Sequence, residues 1–354
     1  MSYRYLGNKS RISDWIVEII SNELSVGSSI VDPMCGTGAM SESLARHGYS
    51  VTASDILFFP TLHAKARLLP ITDSHFQELG GTYEKTIRLL NSLEPEKGFF
   101  WREYSAEGKP INGSRPRKYF TGDNAAKIDV IRSKLIEWKS EGKDSLAIDR
   151  LTHDLLLSVN KVANISGTYG YYCANFGKSS LAPINLTCSP VITFEGEMKV
   201  FQSNLMDTAN KVEADAFYLD PPYTKRQYGG NYHILETIAR HDYPEPAGEG
   251  GLRDWKSTAS DFCYKRKAKN AFLEAIKNIN ARYIFISYSD DGQVSKDDLL
   301  ELLSNNGDVV LYERPLERYN SNSNGIKKSH VTEYLFQLKK REFGVVQDKR
   351  SMVA

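Results

Sequence analysis

A chain of 354 residues, 41 % apolar and 25 % charged, is long enough for one large α/β domain with a substantial insertion, or for two domains. Its composition excludes extended disorder, and 45 Lys plus Arg against 44 Asp plus Glu means that any basic surface must come from local clustering. Cys35, Cys173, Cys188 and Cys263 show no zinc-ligand spacing, and no run of about 18 apolar residues occurs, so a soluble cytoplasmic protein with reduced thiols, no metal site and no membrane contact is expected.

In chain order, Ile12, Trp15, Ile16, Ile19, Ile20 and Leu24 recur at the spacing of one buried helical face, with Asn8 or Ser10 as its cap. Ser29–Asp32 reads as a short buried strand ending in Asp32-Pro33-Met34-Cys35-Gly36-Thr37-Gly38, and a helix with Ala39, Met40 and Leu44 on its inner face follows. Ser50–Asp55 reads as a second strand. Strand, glycine turn, helix, strand opens a doubly wound, Rossmann-like sheet, so the fold class is α/β. The alternation then stops. From about Phe59 to Pro190 the chain shows helical segments around Ile128–Trp138 and Leu151–Val162 and a Gly/Tyr-rich stretch, Ser166–Tyr172, which together read as a largely helical insertion. Strand signals resume at Val191–Phe194, Lys199–Phe201 and Ala216–Asp220, and later at Tyr283–Ser287, Val309–Tyr312 and Thr332–Phe336. A helix over Ala268–Ile279 precedes those last three, and residues 242–257, with Pro244, Pro246 and a Gly/Glu run, read as an exposed loop. The expected organisation is an α/β domain from 1–59 and 191–340, an insertion over 60–190 and a polar tail over 341–354.

Two places carry chemistry. The loop Asp32–Gly38 lets a ligand approach the backbone beside a helix N-terminus. Ser41 stands where a dinucleotide fingerprint has its third glycine, which counts against NAD or FAD. Asp55 closes the next strand at the distance of an acid that binds a ribose hydroxyl, or else it caps a helix. A nucleoside cofactor without a pyrophosphate fits this loop. The second place is Asp220-Pro221-Pro222-Tyr223, where two prolines must end the strand. The Asp220 carboxylate and the Pro221 carbonyl form a pair of acceptors for both hydrogens of an aromatic amine, favouring a pyramidal, nucleophilic nitrogen. Tyr223 supplies a face on which a base stacks. No Pro-Cys dipeptide is present to attack carbon 5 of a cytosine.

In combination and order these motifs resemble the α group of N6-adenine-specific DNA methyltransferases. That family has a Tyr/Phe-x-Gly-x-Lys-type motif, then an S-adenosylmethionine (AdoMet) loop, a target-recognition insertion and Asp-Pro-Pro-Tyr. The matching places are Tyr5-Leu6-Gly7-Asn8-Lys9, Asp32–Gly38, residues around 60–190, and Asp220–Tyr223. Arg226–Thr237, Ser166–Gly170, Ser287–Ser289 and Val331–Leu335 resemble the branch found in type II restriction–modification systems. The resemblance implies AdoMet as methyl donor, with Tyr5 and Lys9 at its methionine part, Asp32, Pro33, Gly36 and Gly38 around it and Asp55 at its ribose. Where the family often has an acid contacting the cofactor's adenine, this chain has Asn204, with Asp207 as a competitor.

It also implies double-stranded DNA as substrate, base flipping, and a restriction endonuclease that shares the site without forming a stable complex. Candidate DNA contacts are Lys225 and Arg226 beside the catalytic turn, Arg117 and Lys118 within Arg115–Lys118, Lys265–Lys267 and Lys327-Lys328; each short basic run is otherwise a solvated surface. The loop Thr168–Asn175, with Tyr169, either reaches the duplex or packs into the core. Alternatives are methylation of RNA adenine, of cytosine N4 or of a glutamine amide, or a vestigial DNA-binding module. Asp220 stands where glutamine enzymes have Asn, and N4-cytosine enzymes more often open the motif with Ser.

Overall fold

The structure, a computed structural model, describes residues 5, 7, 9, 11–317 and 330–341. Asn8, Ser10, the Lys327-Lys328 pair and the tail from 342 onward lie outside the described residues. The chain opens with α1 (Ser13–Ser21), β1 (Ser29–Asp32), α2 (Ala39–Arg46), β2 (Ser50–Asp55) and α3 (Phe58–Leu68). Four helices then leave the sheet: α4 (Tyr83–Ser92), α5 (Phe99–Tyr104), α6 (Gly122–Ser140) and α7 (Ser145–Val162). The return runs through β3 (Met198–Gln202), α8 (Leu205–Lys211), β4 (Ala216–Leu219), α9 (Tyr228–Asn231), α10 (His233–Arg240) and α11 (Lys265–Asn278). β5 (Tyr283–Ser289), α12 (Lys296–Ser304), β6 (Gly307–Glu317) and β7 (His330–Lys340) complete it.

The seven strands lie in the order β3-β2-β1-β4-β5-β7-β6, and β7 alone runs antiparallel to its neighbours. All residues of β4 and β5 are buried, which is why Ala216–Leu219 and Tyr283–Ser289 read as apolar runs without alternation. One face of the sheet packs on α1 and α2, the other on α8, α11 and α12. The chain winds outward from β1 to β3, then restarts at β4 on the opposite side of β1. That reversal opens a crevice at the carboxyl ends of β1 and β4, where open α/β sheets bind ligands.

The strand expected at Val191–Phe194 does not form. β2 begins at Ser50 and pairs β3 only over Val51–Asp55, so residues 191–194 have no neighbouring backbone to pair with. Several helix starts are capped as their sequences allow: Thr82, Thr121, Asp144, Asn204 and Ser295 each accept the backbone N–H three residues on.

The helical insertion has its own core, built on α4 to α7. Two features of that core are discontinuous in sequence. Helix α3 runs across the expected boundary at 59/60 and packs on both the sheet and α7. Helix α10, from far beyond residue 190, contributes Tyr232 at its cap, Ile234, Leu235 and Ile238. Every residue of α10 from His233 to Ala239 is buried, and its Glu236 carboxylate accepts the Phe58 and Phe59 N–H groups at 2.9–3.0 Å, capping α3.

The expected exposed loop at 242–257 is partly built into this unit. Tyr104 donates to the Gly251 carbonyl at 2.8 Å, Tyr119 to that of Gly250 at 3.0 Å, and the Arg117 guanidinium to that of Gly248 at 3.1 Å. Proline and glycine predict a break in regular structure, but not whether the broken chain is solvated or docked.

Candidate functional site

The loop Asp32–Gly38 turns through two left-handed glycines, Gly36 at φ 51° and Gly38 at φ 73°. A Cβ on Gly38 would come within 2.9 Å of the Ala64 Cα, so α3 rests directly on this turn. A Cβ on Gly36 would meet the Tyr5 ring at 3.0 Å. Gly38→Ala is therefore expected to lower stability by at least about 1–2 kcal/mol, the cost of a left-handed non-glycine residue. A melting temperature equal to wild type would show that α3 yields freely. The loop is braced from behind. Asp55, at the end of β2, accepts Gly36 N–H at 3.1 Å and Leu57 N–H at 2.9 Å, and burial pushes its carboxyl up to about 7. Ser41, in the place of the absent third glycine, donates to Asp32 at 2.6 Å.

Asp32 is buried and pushed up to about 7 by desolvation, with the charges of Asp220 and Asp55 adding to the effect. Among the described residues its other oxygen, Oδ1, has no hydrogen-bond partner. Asp32 lines a cavity of about 450 Å³ that also touches Tyr5, Gly36, Asp55, Asn204 and Asp220. An orphaned acceptor in the wall of a cavity suits a ligand that brings a donor, such as the ammonium of an amino acid. Asn204, in the lining of this cavity, caps α8. Its amide oxygen accepts Asp207 N–H and its amide nitrogen donates to the Asp207 carboxylate, both at 2.8 Å, so the two expected competitors act as one unit.

β1 and β4 are parallel neighbours with Val31 opposite Phe217, so Asp32 falls level with Tyr218 and Asp220 follows two residues on, at the same carboxyl end of the sheet. Asp220, Pro221, Pro222 and Tyr223 line the same cavity as Asp32–Thr37. Burial raises the Asp220 carboxyl to about 6, the Lys9 ammonium opposes this, and Glu333 reinforces it. Lys9 is buried, with Nζ 3.4 Å from Asp220 Oδ1 and 3.0 Å from Glu333 Oε2. This places Lys9 among the carboxylates beside Asp220, in the lining of the cavity it shares with Asp32. The Tyr223 ring lies edge-on to Tyr288, 5.9 Å between centroids, with Lys9 Nζ 5.3 Å from its centre. Tyr5 stacks on Tyr232 at 5.0 Å. Among the described residues no group of three or more His, Cys, Asp or Glu is arranged to hold a metal ion.

Two expected DNA contacts are corrected. Arg117 is fully buried; it pairs with buried Glu103 at 2.9 Å and also donates to the carbonyls of Asn112 and Gly248. A guanidinium spent on three internal partners is not a phosphate ligand. Tyr169 is also fully buried, its hydroxyl donating to Asn160 and its carbonyl accepting from Tyr119. Lys118, Lys225 and Arg226 are exposed, as are Lys265–Lys267. The segment before that last group meets the rim: Gln227 exchanges two hydrogen bonds with Ser260, and Cys263 Sγ donates to the Arg226 carbonyl at 3.5 Å.

Sequence reading placed Glu333 and Gln227 within the stretches Val331–Leu335 and Arg226–Thr237 without giving either a role, and it missed the wall Thr258–Phe262. For Glu333 a signal existed, an acid opening the otherwise apolar run Tyr334–Phe336; for the wall there was none.

A profile of the family described as D12 class N6 adenine-specific DNA methyltransferase matches residues 5–299. The chain is 32 % identical over 346 residues to the type II methyltransferase M.FokI of Planomicrobium okeanokoites, covering 95 % of this chain and 52 % of that protein. It is 30 % identical over 339 residues to the type II methyltransferase M.CviAII of Paramecium bursaria Chlorella virus 1, covering 94 % of this chain and 97 % of that protein. To the type II methyltransferase M.NlaIII of Neisseria lactamica it is 28 % identical over 349 residues, 95 % of this chain and 99 % of the relative. The chain thus spans about half the length of M.FokI and nearly all of the other two.

Proposed function

Because the chain belongs to the D12 class of N6 adenine-specific DNA methyltransferases, we propose that it transfers a methyl group to the N6 amine of adenine within a specific sequence of double-stranded DNA. The observation that carries this reading is the single cavity lined by both the glycine turn and Asp220–Tyr223. AdoMet, when bound, supplies a methyl group on a positively charged sulfur. The residues fit it: Asp32 Oδ1 would take its ammonium, Gly36 would let it approach the turn, Asp55 would meet the ribose and the Asn204–Asp207 unit its adenine, while Gly38 packs on α3 instead of lining the cavity.

Asp220 and the Pro221 carbonyl accept the two N–H groups of the target amine, holding it pyramidal, while Tyr223 stacks on the base. As the new N–C bond forms, the bond between the methyl carbon and the donor's sulfur would break and leave a neutral thioether; N6 becomes cationic, and the proton it then sheds is already hydrogen-bonded to the Asp220 carboxylate. This requires Asp220 ionised. With its carboxyl at about 6, protonation below that pH removes the acceptor, and kcat/KM falls about tenfold per pH unit.

An adenine inside a duplex cannot enter such a cavity, so the target base is flipped out at a cost of a few kcal/mol. Lys225 and Arg226 bind phosphates at the rim, and the helical unit reads base edges. The enzyme works in the cytoplasm and shares its site with a restriction endonuclease without a stable complex. Among the described residues no helix is long and apolar enough to cross a membrane.

Incubation with tritiated AdoMet and unmethylated duplex DNA is expected to label DNA, with N6-methyladenine as the hydrolysis product. Label in RNA, in cytosine or in protein instead would overturn the reading. In the same assay, K225A/R226A is expected to flatten the dependence of log KM for DNA on log salt by about two, roughly 0.9 per lost phosphate contact. An unchanged slope would remove both from the interface.

A further inference from the structure

We propose that Glu333 is a positioning residue for this reaction: it shares the Lys9 ammonium with Asp220, so the lysine neither closes on the catalytic carboxylate nor neutralises it. The inference rests on the methyltransferase reading of the Asp220 site. Glu333 lies on β7, opposite Ser289 of β5 and Arg314 of β6, so its backbone is held on both sides. Its side chain is buried, as is Lys9, and the ammonium stands nearer to Glu333 than to Asp220, 3.0 against 3.4 Å.

Charge counting gives the reason for a second acid. A buried Lys9–Asp220 pair by itself is neutral, and a lysine with no other partner would settle onto Asp220 and occupy the lone pairs that the target amine needs. With Glu333 the cluster carries one net negative charge, next to the nitrogen on which positive charge develops. Glu333 touches neither the base nor the cofactor in this scheme. It acts through Lys9. Seen from Asp220, the surrounding titratable groups are Lys9 from the N-terminal segment, Glu333 from β7, Asp32 from the end of β1, Tyr218 on β4, Tyr223 in the following turn and Tyr228 on α9. Only Lys9 among them draws the Asp220 carboxyl down.

The experiment is Glu333→Gln with two readouts. First, aspartate carboxyl carbons of the ligand-free protein are titrated by NMR, with Asp220 assigned through Asp220→Asn. The wild-type midpoint is expected near 6 and that of E333Q at least about half a unit lower, because removing a negative neighbour eases ionisation. Second, single-turnover transfer at pH 8 is expected to slow at least about tenfold. The deficit should narrow toward pH 5, where the wild-type carboxylate is already mostly protonated, with AdoMet binding within about threefold throughout. E333D keeps the charge on a shorter arm and should fall between the two on both readouts. An unmoved midpoint, or a slower rate whose pH profile is unchanged, assigns Glu333 a merely structural part and overturns the proposal, as does wild-type transfer in both variants. Should wild-type protein label no DNA, the methyltransferase reading fails, and the NMR titration still decides whether Glu333 controls Asp220 through Lys9.

Discussion

Asp220→Asn is expected to slow single-turnover methyl transfer about 10²–10³-fold, the range found when one preorganised group facing developing charge is removed. An amide is isosteric, so the cavity keeps its shape, but it offers one acceptor instead of two and turns a donor toward the amine. It also releases Lys9 from its partner 3.4 Å away. Cofactor affinity should stay within about threefold, because the acceptor proposed for its ammonium belongs to Asp32. Calorimetric titration with AdoMet and a rapid-quench assay on the same preparation separate the two effects. A rate within tenfold of wild type would take Asp220 out of the reaction.

Arg117→Met is expected to cost about 3–5 kcal/mol of stability, the usual penalty for removing one partner of a buried ion pair. Glu103, wholly buried, would keep Arg102 at 2.8 Å and the Ile111 N–H at 3.2 Å, both on Oε1, while its Oε2 and the carbonyls of Asn112 and Gly248 would lose their shared donor. The neighbouring exposed Lys118 supplies the control, since Lys118→Met should shift stability by less than about 0.5 kcal/mol. Denaturant titration of both variants tests this. Equal midpoints for the two would mean that the Arg117–Glu103 pair holds nothing together.

Arg117 and Lys118 also show where sequence reading stops. Both are basic, adjacent and follow a proline, yet one is spent on internal partners and the other faces solvent. The distinction depends on Glu103 and Gly248, one in α5 and one in a loop more than a hundred residues away. The parallel strands and the two motif turns were legible because each is a local pattern: an apolar run closed by glycine or by paired prolines. Lys9 and Asp220 each stood out as a motif member, but their pairing with each other and with Glu333 did not. Pairing Lys9 with Asp220 and Glu333 requires knowing that β7 returns beside β5, an arrangement no local pattern encodes. Val191–Phe194 failed in the opposite sense. Its residues suit a strand, but strand formation is a property of the neighbour as well.

The cap that Glu236 places on α3 has a practical consequence for exchanging DNA specificity between relatives. A graft of residues 60–190 alone would set a foreign helical layer against a native α10, mismatching Tyr232, Ile234 and Leu235, and would put at risk the carboxylate that anchors the helix beneath the cofactor turn. Transplants that also carry residues 228–254 keep that seam intact.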